Sequence, residues 1–237
     1  MSCLTFHFNR SQFVFLQRVD KTIGAIQEVP LSTISYVLSV NVGTISAEST
    51  KRHAVGLLER AEAQVWPRHP HKRGLGEVFV KWAYGPRQIV DLQYEASLYA
   101  NELRPLQGDV VPRCYGFFVG TLPGSHAIFS CLILEYCSGE LPASPIEFNR
   151  QIMVQACRLH QAGVIHGNLQ DMHPDIPTMN HVVPHRRGLR FVSFTRAKRH
   201  LCHCHDMHPI LRTGLVFEEN KLCEELWRLE TTFGVKC

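Results

Sequence analysis

Alternating apolar and polar residues predict a β-strand at residues 77–83. The apolar stretches 115–119 and 127–134 predict a pair of further strands, joined by a turn that contains Gly124. Successive residues of a strand point to opposite faces of the sheet. Lys81 is therefore predicted to lie on a face of the strand that is otherwise mainly apolar.

Three other segments show helical spacing of their apolar residues. Residues 89–103 carry apolar side chains one turn apart, with Glu95 near the middle. Residues 147–162 form the clearest amphipathic pattern in the chain, and Gly163 follows as a glycine suited to the position after a helix. Residues 222–229 predict a final short helix.

Shorter apolar stretches occur near both ends of the chain. Residues 182–183 and 189–192 predict a small hairpin. The stretches 13–16 and 34–40 predict short strands within residues 1–50, an N-terminal extension of unknown role.

The composition is that of a globular protein. At 237 residues, the chain is long enough for one good-sized domain or for two small lobes around a shared cleft. Hydrophobic residues make up 45% of it, so disorder is not predicted for most of its length. A formal net charge of +4, with basic clusters that lack interleaved aromatic residues, does not favour a nucleic-acid partner.

Neither a membrane span nor a disulfide framework is predicted. The longest dense apolar run, at 127–137, is shorter than the roughly 20 residues that a transmembrane helix needs. The first 16 residues lack the pattern of a secretory signal. Nine cysteines, an odd number without even spacing, favour reduced thiols. The expected location is the cytoplasm or the nucleus.

Several motifs follow one another in a telling order. Lys81 on a strand precedes Glu95 on a helix by fourteen residues, and an apolar strand then ends in Leu-Glu-Tyr-Cys at Cys137. A later helix ends in Leu-His-Gln-Ala-Gly-Val-Ile-His-Gly at Gly167. This order resembles the protein-kinase-like superfamily in a degenerate, pseudokinase-like form, and in particular its short fungal members.

The resemblance implies an α+β fold of two lobes. Residues 51–136 would form a small antiparallel sheet lobe with one helix, and residues 137–237 an abridged helical lobe. The resemblance covers roughly residues 52–200. Only about 40 residues follow Ser193, without the helical platform that holds a protein substrate.

The resemblance also implies a nucleotide pocket. Lys81 would contact the α- and β-phosphates and pair with Glu95. Leu134 would lie behind the adenine, whereas Glu135 and Cys137 would belong to the hinge whose backbone groups meet it. An isolated lysine and glutamate would more often be solvent-exposed, and the order of the motifs is what favours the pair.

The predicted catalytic loop lacks its general base. His166 matches the loop, but Asn168 stands where the family has an aspartate, and an amide has no useful basicity near neutral pH. The metal-binding asparagine is expected at position 173, which is a histidine. Asp171 and Asp175 remain open as substitute carboxylates.

Two further losses concern phosphate and metal. The three glycine positions of the phosphate loop hold Leu58, Arg60 and Ala63, so that an ordinary hairpin or short helix is predicted over residues 57–66. Ser193 replaces the aspartate that binds magnesium, and a neutral hydroxyl is a weak ligand for that ion.

A run rich in histidine and cysteine offers a competing chemistry. Its candidate metal ligands are Cys202, His203, Cys204 and His205. In an extended chain the cysteines would lie on one side and the histidines on the other, so the four would not converge on one ion. A zinc site would need a second pair, from Cys223 and His181 or His185. The pattern therefore does not favour zinc.

The sequence thus predicts a kinase-fold pseudoenzyme that lacks normal phosphoryl transfer. It would act by binding a nucleotide, such as ATP without magnesium, or a protein partner. One alternative is a divergent ATP-dependent phosphotransferase that uses substitute carboxylates. The other is a Cys/His metal-binding regulatory module.

Overall fold

The computed structural model shows an α+β protein. It describes residues 3–7, 13–19, 37–41, 51–52, 57–66, 76–122, 124, 127–169, 181–202 and 223–234. The chain divides into two compact units. The first combines Met1–Ala100 with Arg113–Tyr136, and the second combines Asn101–Pro112 with Cys137–Cys237.

The first unit is built on one sheet of eight strands. In chain order these strands are β1 (Cys3–His7), β2 (Phe13–Arg18), β3 (Val37–Asn41), β4 (Lys51–Arg52), β5 (Leu57–Trp66), β6 (Gly76–Tyr84), β7 (Cys114–Thr121) and β8 (Ile128–Glu135). Their order in the sheet is β3-β1-β2-β7-β8-β6-β5-β4, and all neighbours run antiparallel except β1 and β3. Because β3 also pairs with β5, the hydrogen-bonded series of strands returns on itself.

One face of β6 lies in the main apolar cluster of this unit. Val78 and Val80 are fully buried there, as the alternating pattern predicts. The other buried members come from four further strands: Leu4, Phe6, Leu16, Phe118, Phe129, Cys131 and Ile133. Strands β1 and β2 therefore contribute directly to this core.

Helix α1 (Pro86–Ala100) follows β6 immediately and packs on β6, β7 and β8. Its apolar residues recur at helical spacing, and Leu92, Ala96 and Tyr99 are buried along one stripe. Glu95 lies in the same buried stripe. The helix predicted at 89–103 is thus confirmed, with both ends three residues earlier.

The described part of the second unit contains two α-helices and two small strand pairs. The helices are α2 (Pro145–Gln161) and α3 (Glu224–Phe233), which pack on each other. The strand pairs are β9 (Val164–Ile165) with β12 (Lys198–Arg199), and β10 (Val182–His185) with β11 (Gly188–Phe191). The predicted hairpin and both predicted helices are confirmed.

Helix α2 has clear start and stop signals. The Ser144 hydroxyl accepts a hydrogen bond from the backbone N–H of Glu147 at 3.4 Å, and Pro145 occupies the first turn, where its missing N–H costs nothing. The chain leaves the helix at Gly163, whose φ of 83° is in the left-handed region that glycine tolerates.

Two local predictions differ from the structure. Residues 57–66 form the single strand β5 rather than a hairpin or short helix, because β6 pairs along most of their length and β3 and β4 pair on the other side. Strand β1 was not predicted, since five residues carry too little periodicity by themselves. Among the residues that the structure describes, no helix is both long and apolar enough to cross a membrane.

Candidate functional site

A buried ion pair joins β6 to α1. The Lys81 Nζ atom lies 2.5 Å from Oε2 of Glu95, and the two side chains are 2% and 0% exposed. An unpaired charge in such a place would carry a large desolvation penalty, whereas a hydrogen-bonded pair offsets much of it. The structure therefore brings together the two residues that were expected to pair because of the resemblance to protein kinases.

The backbone fixes both partners. Lys81 lies opposite Leu132 of β8 on one side and opposite Leu58 of β5 on the other, so β6 is held within the sheet. Glu95 belongs to the buried stripe of α1, which packs on β6. The side chain of Lys81 is thus directed away from the Val78 and Val80 cluster, because strand residues alternate between faces.

The segment predicted to meet adenine ends strand β8. Leu134 is buried at 3% exposure. Glu135 forms two hydrogen bonds with Arg113 of the first unit. The Glu135 backbone N–H donates to the carbonyl of Arg113 at 2.8 Å, and Oε2 of Glu135 accepts from the Arg113 N–H at 3.1 Å. Cys137 is buried and belongs to the second unit.

The predicted catalytic loop contacts the segment that precedes Ser193. His166 is fully buried, and its Nε2 atom lies 3.0 Å from the carbonyl oxygen of Val192. Its ring also packs against Phe194, with ring centroids 4.7 Å apart. Asn168 and Ser193, which occupy the predicted base and metal positions, thus lie in adjoining loops of the second unit.

Gly167 is required by this contact between loops. Its φ is 79°, and an added Cβ would lie 2.4 Å from the carbonyl oxygen of Arg196. The degenerate positions beside it are enclosed, because Asn168 is 5% exposed and Ser193 is 8% exposed. Ser193 itself has a φ of 70°, a left-handed conformation in which asparagine and aspartate are enriched.

Glu225, in the first turn of α3, contacts the backbone of the predicted catalytic loop. Its Oε2 accepts from the backbone N–H of His166 at 2.9 Å, and its Oε1 accepts from that of Gly167 at 2.7 Å. Oε2 also lies 2.8 Å from Nε2 of His160 on α2. One buried carboxylate therefore connects α2, α3 and the loop.

The contacts of Glu225 decide its charge. Burial raises the pKa of this carboxyl, but the hydrogen bond from His160 and the charge and backbone N–H of His166 lower it more, so that the pKa falls below its ordinary value. The group is therefore ionised near neutral pH. Sequence reasoning missed this residue, since an acidic residue at the start of a helix is common.

Four donor side chains converge beside Glu225. One nitrogen or sulfur atom each of His160, His200, Cys202 and Cys223 lies within 4.8 Å of the others. The predicted ligands Cys202 and Cys223 are thus brought together, but with different histidines from the predicted His181 and His185. His203, Cys204 and His205 lie outside the described residues.

The two histidines named in the prediction have other partners. His181 packs edge to face on His166, with ring centroids 5.5 Å apart. His185 Nδ1 lies 3.1 Å from a guanidinium nitrogen of the buried Arg190. Asp171, His173 and Asp175, the loop positions discussed above, also lie outside the described residues.

The comparisons with known proteins assign no family. No protein-family model matches the chain, and no curated protein is similar to it in sequence.

Proposed function

We propose that this protein is a kinase-like pseudoenzyme, which binds a nucleotide or a protein and does not carry out normal phosphoryl transfer. The proposed fold is the two-lobed protein-kinase-like fold with an abridged helical lobe. The buried pair of Lys81 and Glu95 carries the proposal. In protein kinases, a strand lysine paired with a helix glutamate positions the phosphates of ATP.

The cost of the ion pair supports a binding role. Replacing a buried ion pair with apolar residues of similar volume is often neutral or stabilising, so stability alone does not explain why a protein would keep one. A lysine held rigidly by a glutamate is pre-organised to meet a phosphate. ATP is therefore the ligand to test first.

The chemistry of the second unit argues against catalysis. A positioned general base contributes about 10²- to 10⁴-fold in rate, and Asn168 cannot supply it. Ser193 offers no carboxylate to hold magnesium between phosphates. Both residues are buried.

The test is thermal unfolding of the full chain with ATP, in the presence of EDTA and separately of Mg²⁺. We expect ATP to raise the Tm equally in both conditions, with no ADP formed. The matched variants are Lys81→Met/Glu95→Leu, which removes the pair without leaving a lone charge, and Lys198→Met, which removes an exposed lysine. Only the first should lose the shift.

Two results would change the assignment. Magnesium-dependent stabilisation together with ATP turnover would establish the divergent phosphotransferase, and loss of that turnover in Asp171→Asn or Asp175→Asn would identify the substitute carboxylate. No stabilisation by millimolar ATP in either condition would exclude nucleotide binding and leave a protein partner.

A further inference from the structure

Local backbone pairing brings the four donors beside Glu225 together. The backbone N–H of Gly163 donates to the carbonyl of His160 at 2.9 Å, as α2 ends. The carbonyl of Gly163 in turn accepts from the N–H of His200 at 2.9 Å, directly after the pairing of β9 with β12. Cys202 follows two residues later, and Cys223 is the residue before α3. Three distant segments of the second unit therefore meet at one point.

Two of the separations between donor atoms can be compared with those around a tetrahedral zinc ion. Zinc binds sulfur at about 2.3 Å and imidazole nitrogen at about 2.0 Å, which places two tetrahedral sulfurs about 3.8 Å apart. The sulfurs of Cys202 and Cys223 lie 3.7 Å apart, and the two residues are not joined in a disulfide. His200 Nε2 lies 2.9 Å from the Cys223 sulfur, so this edge would open by roughly 0.6 Å around an ion.

His160 presents a nitrogen that nothing else in the described structure uses. Its side chain is 1% exposed, and its Nδ1 atom is buried without a hydrogen-bond partner among the described residues. Because the Glu225 carboxylate accepts a hydrogen bond at Nε2, that nitrogen carries a proton, and in the neutral ring Nδ1 presents the lone pair. A metal ion would satisfy this otherwise costly buried atom.

The contact with Glu225 is the second feature of a metal site. Histidines that bind metals usually donate their other ring N–H to a carboxylate or carbonyl, which fixes the tautomer and the ring orientation. Glu225 occupies that place for His160, at 2.8 Å. The same carboxylate holds the backbone of His166 and Gly167.

We propose that His160, His200, Cys202 and Cys223 bind one Zn²⁺ ion as a structural Cys₂His₂ site. Thiolate and imidazole donors suit zinc, and four protein ligands leave no open position for a reacting water. The ion would join the end of α2, the segment after β12 and the start of α3. Through Glu225 it would also support the loop that contains Asn168. This proposal does not depend on nucleotide binding.

Metal analysis of the full chain, purified under reducing conditions, tests the stoichiometry. We expect one zinc per chain in the wild type and none in Cys202→Ser or Cys223→Ser. Cys204→Ser is the matched control, because it removes a neighbouring thiol outside the four, and it should keep its zinc. A wild type that neither contains zinc nor takes it up would overturn the proposal, as would zinc retained in both cysteine variants or lost only in Cys204→Ser.

A second measurement does not depend on the variants folding. Treatment of the wild-type protein with a strong chelator should lower its Tm, and one equivalent of Zn²⁺ should restore the original value. Co²⁺ in place of zinc should give the visible absorption of a tetrahedral site with thiolate ligands. An octahedral cobalt spectrum, or an unchanged Tm after chelation has removed the metal, would count against the site.

Glu225→Gln probes the supporting role of the carboxylate. Loss of such a partner typically lowers metal affinity by about 10- to 100-fold while the ligands stay in place. Competition with a chromophoric chelator should show this weakening, and Glu224→Gln, at an exposed position on the same turn, should bind like the wild type. Equal affinities for both variants would show that Glu225 does not support the ligand.

Discussion

At the residue scale, Lys81 and Glu95 form a buried ion pair. Both side chains are almost completely buried, and each compensates the charge of the other. The alternating pattern along the strand predicted that Lys81 lies on an apolar face. That pattern alone did not predict the 2.5 Å contact between Lys81 and Glu95 of the helix.

Replacing one member of this pair should lower the free energy of unfolding far more than replacing both members. We expect Lys81→Met to lower the free energy of unfolding by about 3–5 kcal/mol, because the buried Glu95 carboxylate loses the opposite charge beside it. Lys81→Met/Glu95→Leu should recover most of that loss. Urea unfolding of the wild type, both single variants and the double variant completes the cycle. Additive losses in the double variant would contradict a direct coupling of the two residues.

Gly167 offers a second test at the same scale. Gly167→Ala should be strongly destabilising, because it adds a Cβ against the Arg196 carbonyl to the cost of a left-handed backbone. Gly85→Ala is the matched control, since Gly85 also has a positive φ but has open space around its Cα. We expect the control to lose about 1–2 kcal/mol and Gly167→Ala to lose clearly more in urea unfolding. Equal losses would mean that the loop contact is relaxed at little cost.

At the element scale, α3 contacts the predicted catalytic loop through the side chain of Glu225. Glu225 reaches two backbone N–H groups of the loop and the ring of His160 on α2. The helix was predicted from its apolar spacing, but its partners were not. A short helix near the end of the chain thus organises residues almost 60 positions earlier.

Glu225→Ala should release the loop. We expect the amide of Gly167 to exchange its hydrogen faster, because its acceptor is lost while the rest of α3 remains helical. Hydrogen exchange followed by NMR or mass spectrometry measures this directly. Glu224→Ala, on the exposed side of the same turn, should leave the exchange rate unchanged. Unchanged protection of Gly167 in Glu225→Ala would show that the loop is held by other contacts.

At the scale of the whole molecule, the first strands are part of the first unit and not an appendage to it. Phe6 of β1 packs against Phe129 of β8, with ring centroids 5.1 Å apart. Leu4 and Leu16 complete the same cluster. Residues 1–50, whose role the sequence left open, thus contribute strands β1, β2 and β3 to the sheet, and β1 and β2 to the core.

Truncation of a core phenylalanine tests this directly. Phe6→Ala should lower the free energy of unfolding by about 3–5 kcal/mol, whereas Phe15→Ala should change it by less than about 0.5 kcal/mol. The two residues lie in paired strands, but Phe6 is 1% exposed and Phe15 is 68% exposed. Urea unfolding of both variants gives the comparison. Equal, small changes in the free energy of unfolding would show that β1 does not contribute to the folded core.

The sequence by itself determined the elements whose signals are local. Alternation along β6, helical spacing in α1 and α2, and the glycine after α2 predicted these elements within a few residues. It also determined that Asn168 cannot act as a general base and that Ser193 offers no metal-binding carboxylate.

The tertiary structure decided which distant residues meet. The sequence pattern of residues 57–66 favoured a hairpin or short helix. They form strand β5 instead because other strands pair with them along both edges. His160 joins His200 and the two cysteines only because α2 ends beside β12, and Glu225 finds its donors only across 58 and 59 residues of chain. Local periodicity reports which face of an element is buried, whereas the choice of partner depends on packing between elements.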